Sequence, residues 1–175
     1  VEPCQHISCD MGKTEYPTGL SRMASRDFAD MVESQVVDDI KKVYCPDWPN
    51  RGLRDEAYYE ARVPEVPTML LELLSHQNFE DMKYAFDPEF KFTVARSIYK
   101  AATKFIASIN NIEDYEFTPL APSHFAIDFN GDKINLSWRP TKDSLEPSVT
   151  TDGYILYTAI GNNGFNNGIY LETNK

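Results

Sequence analysis

The stretch of sequence that decides the fold is PEVPTMLLELLSHQNFED, from Pro64 to Asp81. It contains an apolar run, from Met69 to Leu74, that follows two prolines and is too short for a helix of a globular protein. Such a run predicts a β-strand that is buried on both faces of a sheet. The residues after Leu74 turn polar, and a helix is predicted to begin at Phe79, because acidic residues follow it near the positive end of the helix dipole.

One carboxylate, Glu72, interrupts the apolar run. Burial of an unpaired charge costs on the order of several kcal/mol. Glu72 is therefore expected to be neutral, to pair with an arginine such as Arg62, or to lie at the strand end where a cleft opens. Only the last arrangement presents the carboxylate to a substrate.

Three further residues are candidate substrate contacts: Arg62, His76 and Asn78. Each also has a structural interpretation. Arg62 can serve as the ion-pair partner of Glu72, and His76 can bond to the backbone of its own turn. Asn78 stands where the cap of the following helix is expected.

Composition and charge exclude several classes of protein. The chain has 175 residues, of which 42% are apolar, so it can build a hydrophobic core. Its net charge of -10, with no basic patch, argues against a nucleic-acid partner. No apolar run approaches the roughly 20 residues of a transmembrane helix. The cysteines Cys4, Cys9 and Cys45 have no metal-finger spacing, so a Cys4–Cys9 disulfide and free thiols both remain open.

Two long helices are predicted on either side of the central stretch. The first covers residues 21–44, where apolar residues recur at helical spacing. The second runs from Asp87, its predicted cap, through Pro88 at the first helical position to Ile109. The apolar face of this second helix is predicted to pack on a sheet. A short strand is predicted at residues 57–62, because tyrosines favour extended structure.

The chain changes character after residues 114–122, which contain two prolines and are predicted to form a linker. Residues 123–175 contain the segments HFAIDF, KINLSW and GYILYTAI, which are rich in aromatic and branched residues. These segments predict short strands, and Asn130-Gly131 predicts a hairpin between the first two. The C-terminal part is therefore expected to be all-β.

The central stretch resembles the zinc-dependent N-acetylmuramoyl-L-alanine amidases, which cleave peptide stems from peptidoglycan. In that family a proline precedes a hydrophobic strand with a catalytic glutamate, and an asparagine six positions later precedes an acidic helix start. Pro67, Glu72, Asn78 and Asp81 match that order and spacing. The resemblance covers about residues 21–109, although Leu73, Leu74 and Ser75 replace the family's glycine and phenylalanine.

The resemblance implies an α/β fold for residues 1–113, with part of a mixed sheet flanked by helices. It also implies that Glu72 accepts a proton from zinc-bound water and returns it to the leaving amine. Two histidines and a glutamate hold the zinc in that family. His6 can stand for at most the second histidine, and a plain surface histidine is its alternative. Because the other ligands are not found, these 175 residues by themselves are expected to be inactive.

The segments INLSWRP and DGYILYT resemble a fibronectin type III domain, with Trp138 and Tyr154 as core residues of neighbouring strands. Such a domain has about seven strands, and the sequence after the linker offers about four. We therefore expect both parts of the chain to be fragments of larger domains. In the alternative, a partner copy completes the sandwich through an exposed β edge, which makes a homo-oligomer.

Three functions are consistent with these observations. The first is an extracytoplasmic zinc amidase that acts on peptidoglycan and is followed by a fibronectin-like spacer. The second is a non-catalytic surface or adhesion protein that keeps the amidase scaffold to bind glycan or protein. The third is a polysaccharide lyase, since proteins that pair such parts also carry the label xanthan lyase. A lyase needs a tyrosine, histidine or arginine beside its acid, and the sequence does not gather that set.

Overall fold

The computed structural model of the protein describes residues 15–56 and 58–172. The chain divides into two compact units, Val1–Tyr115 and Glu116–Lys175. The boundary lies within the segment 114–122 that the sequence predicts to be a linker.

The first unit is helical. Helix α1 covers Ala24–Val43, α2 covers Tyr59–Arg62, α3 covers Phe79–Phe86 and α4 covers Pro88–Ile109. The two long helices predicted from sequence are thus confirmed, and so is the start of α3 at Phe79. Asp87 caps α4 as predicted, because its carboxylate accepts a hydrogen bond of 2.9 Å from the backbone N–H of Glu89. Pro88 occupies the first turn, where its missing N–H costs nothing.

The core of this unit lies between α1 and α4. It is built from the fully or nearly fully buried side chains Val32, Val36, Ile40, Phe90 and Ala101. Aromatic rings extend the core at one end, where Trp48 and Tyr44 both contact the ring of Phe90, with centroids 5.8 Å and 5.1 Å away. Trp48 follows the end of α1 and packs against this core.

Two strand predictions in the first unit were wrong. Residues 69–75 have no regular secondary structure and form no β-ladder, and the predicted strand at 57–62 is replaced by the single-turn helix α2. A strand exists only where a neighbour exchanges backbone hydrogen bonds with it. Among residues 15–56 and 58–115 the one β-type contact is an isolated bridge between Glu15 and Ser21. The expected mixed sheet is therefore not formed by the described residues, and α4 packs on α1 instead of on a sheet.

The second unit consists of two antiparallel hairpins. Strand β1, Ser123–Asn130, pairs with β2, Lys133–Arg139, and β3, Gly153–Leu156, pairs with β4, Ile169–Glu172. The predicted hairpin is confirmed: Asn130 pairs with Lys133, and Gly131 in the turn has φ +61°, which glycine adopts without strain. The described residues contain four strands, the number that the sequence offers, but these strands form two separate two-stranded sheets, so a fibronectin-like sandwich is not confirmed.

Trp138 and Tyr154, the predicted core residues of the second unit, do meet. Their rings lie edge to face with centroids 5.2 Å apart, and the side chains come from different sheets. The apolar face of the first hairpin is covered only in part, since Ile127, Phe129 and Ile134 are all more than half exposed. In the range that the structure describes, no helix combines the length and the apolar character needed to cross a bilayer.

Candidate functional site

The segment between α2 and α3 carries the candidate catalytic residue and is anchored at both ends. At its start, the backbone N–H of Thr68 donates a 3.1 Å hydrogen bond to the hydroxyl of Ser25 on α1. That hydroxyl is also hydrogen-bonded to the hydroxyl of Tyr16. At its end, the backbone N–H of Ser75 donates a 2.8 Å hydrogen bond to the carboxylate of Asp81 on α3. Residues 68–75 are therefore held against two helices, although they lack a sheet.

The leucines of this segment supply its hydrophobic anchor. Met69, Leu73 and Leu74 pack against the core between α1 and α4. Leu73 and Leu74 also line a hollow of about 250 Å³ against α4, whose walls are almost wholly apolar. The hollow offers few polar atoms to orient a substrate, so we interpret it as imperfect packing and not as a catalytic pocket.

Glu72 lies on the exposed side of the segment. The predicted burial of this run on both faces was wrong, because no neighbouring strand covers the side of Glu72 among the described residues. Nor does the structure show an ion pair between Glu72 and Arg62 in the ranges it describes. The carboxylate is thus accessible to a large substrate without any opening of the fold.

The three predicted substrate contacts fall in different local structures. His76 is exposed in the turn before α3. Asn78 is the N-cap of α3, and its side-chain oxygen accepts a 3.0 Å hydrogen bond from the backbone N–H of Glu80. Arg62 ends α2, ten residues before Glu72. Glu72, His76 and Asn78 therefore share one exposed segment, whereas Arg62 belongs to the element before it.

The cap made by Asn78 leads to a testable prediction. We expect Asn78→Ala to lower the free energy of unfolding by about 1 kcal/mol, since alanine leaves the Glu80 N–H without its acceptor. Asn78→Asp should keep the stability, because its carboxylate can accept the same bond. Urea denaturation followed by circular dichroism measures both. Gln77→Ala, at the exposed neighbouring position, should change little. Equal losses for the alanine and aspartate variants would contradict the capping role.

The described residues do not supply a catalytic zinc site. Nowhere in residues 15–56 and 58–172 do three or more His, Cys, Asp or Glu side chains come together in a way that could hold a metal ion. A catalytic zinc ion needs three protein ligands. The candidate ligand His6, together with Cys4 and Cys9, lies outside the described residues, and Cys45 carries a free thiol.

The sequence analysis missed a buried ion pair between the two long helices. The carboxylate of Asp39 on α1 is fully buried, 2.9 Å from the ammonium of Lys100 on α4. The same carboxylate oxygen accepts hydrogen bonds from Ser97, at 2.8 Å, and Gln35, at 2.9 Å. The sequence did contain a signal that Asp39 is buried. Asp39 lies three residues after Val36 and directly before Ile40, and both are buried residues of α1. Its position indicates a role in helix pairing.

Comparison with known proteins points to one family. The family model described as N-acetylmuramoyl-L-alanine amidase matches residues 14–104, a range that includes α1, the anchored segment with Glu72 and most of α4. No curated protein and no solved structure matches the chain significantly.

Proposed function

Because this chain belongs to the N-acetylmuramoyl-L-alanine amidase family, we propose that Glu72 transfers protons in cleavage of the bond between muramoyl lactyl groups and stem peptides. At the level of the family, the function is that of a cell-wall amidase. The substrate is then peptidoglycan, and the protein acts outside the cytoplasm, where peptidoglycan is found.

The exposure of Glu72 is the observation that carries this proposal. Peptidoglycan is a polymer that cannot enter a closed cavity, so its amide bond must be reached at an open surface. Glu72 offers such a carboxylate on a segment that hydrogen bonds fix to α1 and α3. Fixing the backbone on both sides limits the positions that the carboxylate can take, which favours a defined approach to the substrate.

The chemistry assigned to Glu72 is general base and then general acid catalysis. Its carboxylate takes a proton from the water that attacks the amide carbonyl and passes a proton to the departing amine. The family resemblance implies zinc as well, but the described residues do not bring its ligands together. We therefore assign no step to a metal and restrict the proposal to the proton transfers.

The proposal is tested with the protein as its natural source produces it, here called the natural polypeptide. Purified sacculi are incubated with it, with added zinc and after chelation, and released peptides with new amino termini are counted by mass spectrometry. Release of stem peptides is the expected result. Zinc content is measured in the same samples. Intact sacculi after incubation with the zinc-loaded natural polypeptide would contradict an amidase function.

A second function uses the same exposed segment, in which Glu72, His76 and Asn78 can contact a ligand without any chemistry. In this alternative the protein binds glycan or peptide at the cell surface and does not hydrolyse it. Co-sedimentation with sacculi separates the two functions. Binding without peptide release, and without bound zinc, would support the non-catalytic alternative.

A further inference from the structure

Arg22, just before α1, carries a buried charge whose bonding is incomplete. The residue is only 6% exposed. Its Nη1 makes one long hydrogen bond, 3.5 Å, to the backbone carbonyl of Arg62, and the guanidinium carbon lies 4.7 Å from the centroid of the Tyr16 ring. The Nε and Nη2 atoms are buried and have no hydrogen-bond acceptor in the described part of the chain.

The two atoms without acceptors form one edge of the guanidinium group. On this edge the N–H bonds of Nε and Nη2 are parallel, and they match the two oxygens of a carboxylate. Arginine stays protonated in proteins, so Arg22 cannot escape the cost of burial by losing its charge. The chain has 27 acidic residues, yet no ion pair to Arg22 is seen among the described ones. A bidentate anion would satisfy both N–H groups and neutralise the charge.

The position of Arg22 relates it to the proposed catalytic residue. Ser25, three residues later, accepts the hydrogen bond from Thr68 at the start of the anchored segment. Glu72 follows Thr68 by four residues, which span at most about 14 Å at roughly 3.6 Å per residue. A ligand of a few peptide residues spans such a distance.

We propose that Arg22 binds a carboxylate on the peptide part of the substrate, through Nε and Nη2. This inference rests on the proposed function, because the carboxylate belongs to the stem peptide whose amide bond Glu72 is proposed to cleave. A carboxylate fits better than a phosphate, since a single guanidinium balances one negative charge and the chain as a whole is strongly acidic. The ring of Tyr16 lies over the guanidinium face, and the edge formed by Nε and Nη2 is buried, so binding requires the side chains that cover this edge to move aside.

Titration of the labelled 175-residue chain tests the proposal directly. The probe is L-alanyl-L-alanine, which has a free carboxylate, and the matched probe is L-alanyl-L-alaninamide, which has none. The Nε–Hε signal of Arg22 is followed by ¹H–¹⁵N NMR and is assigned by its loss in Arg22→Lys. We expect a saturable shift with the first probe and none with the second.

Arg22→Lys keeps the charge but cannot form two parallel bonds, so it should bind the free dipeptide about tenfold more weakly, as expected for loss of a charge-assisted hydrogen bond. Binding to this variant is followed through backbone amide signals. Arg51→Lys, at an exposed arginine, is the matched control and should bind as the wild type does. Thermal melts of both variants show whether they are folded. Any of four results would overturn the proposal. These are equal shifts with the two dipeptide probes, no shift with either probe, a shift of the same size with inorganic sulfate, and weaker binding to Arg51→Lys by the same factor as to Arg22→Lys.

Failure of this inference can be separated from failure of the proposed function. If the dipeptide binds through Arg22 but sacculi are never cleaved, the amidase function fails and the carboxylate site stands. If sacculi are cleaved and Arg22→Lys cleaves them with an unchanged KM, the carboxylate site fails and the amidase function stands.

Discussion

Glu72→Gln in the natural polypeptide is expected to lower the rate of stem-peptide release from sacculi by about 10²- to 10⁴-fold, the usual contribution of a general acid–base residue. Glutamine has nearly the same shape as glutamate but can neither accept nor return the proton. Initial rates of release, measured by liquid chromatography and mass spectrometry, give the ratio.

The same substitution should leave the stability of the fold unchanged. Glu72 is exposed and the structure shows no ion pair to it within the described ranges, so its replacement should alter the free energy of unfolding by no more than about 0.5 kcal/mol. Glu60→Gln, at an exposed position on α2, is the control and should retain full activity. A Glu72→Gln variant that releases peptides at the wild-type rate would remove Glu72 from the reaction and favour a binding function.

Asp39→Ala is expected to lower the free energy of unfolding by about 3–5 kcal/mol, because it removes one partner of a buried ion pair, the carboxylate 2.9 Å from the ammonium of Lys100. The carboxylate is fully buried, and Ser97 also donates a hydrogen bond to it. Denaturation in urea, monitored by the helical circular dichroism signal, measures the loss. Since native domains are stable by about 5–15 kcal/mol, this single change could unfold the first unit.

Two further variants separate charge burial from general damage to α1. Asp38→Ala alters the adjacent, exposed carboxylate and should change the stability by no more than about 0.5 kcal/mol. The double replacement of Asp39 by Leu and Lys100 by Met removes both charges and should recover most of the loss. Ser97 keeps a partner there, because its hydroxyl also donates to the carbonyl of Thr93 at 2.8 Å. A double variant as unstable as Asp39→Ala would show that packing, not the unpaired charge, causes the loss.

Local features of the fold were predictable from the sequence. The helix that begins at Pro88 was read from the cap at Asp87, and the hairpin of the second unit from Asn130 and Gly131. The capping role of Asn78 was one of two interpretations and is observed. Each of these features depends on residues that lie within a few positions of one another, so a single stretch of sequence contains all the information.

The environment of Glu72 was not predictable in the same way. Its apolar neighbours indicated a buried strand, but a strand needs partner strands, and the described residues of the first unit provide none beside it. The leucines bury themselves against the helices instead, and the carboxylate stays in solvent. The identity of the candidate residue came from motif spacing, whereas its exposure came from the packing of distant elements.

The sequence by itself determined the two long helices, the Asp87 cap of α4, the hairpin and the motif that relates the chain to cell-wall amidases, because these depend on short-range order along the chain. Only the tertiary structure decided that Asp39 meets Lys100, that Arg22 is buried with one edge unbonded, and that Glu72 faces solvent. Those outcomes depend on long-range packing, which decides which side of each helix or segment is covered. The energy of a charged side chain depends on its burial and not on the spacing of residues along the sequence.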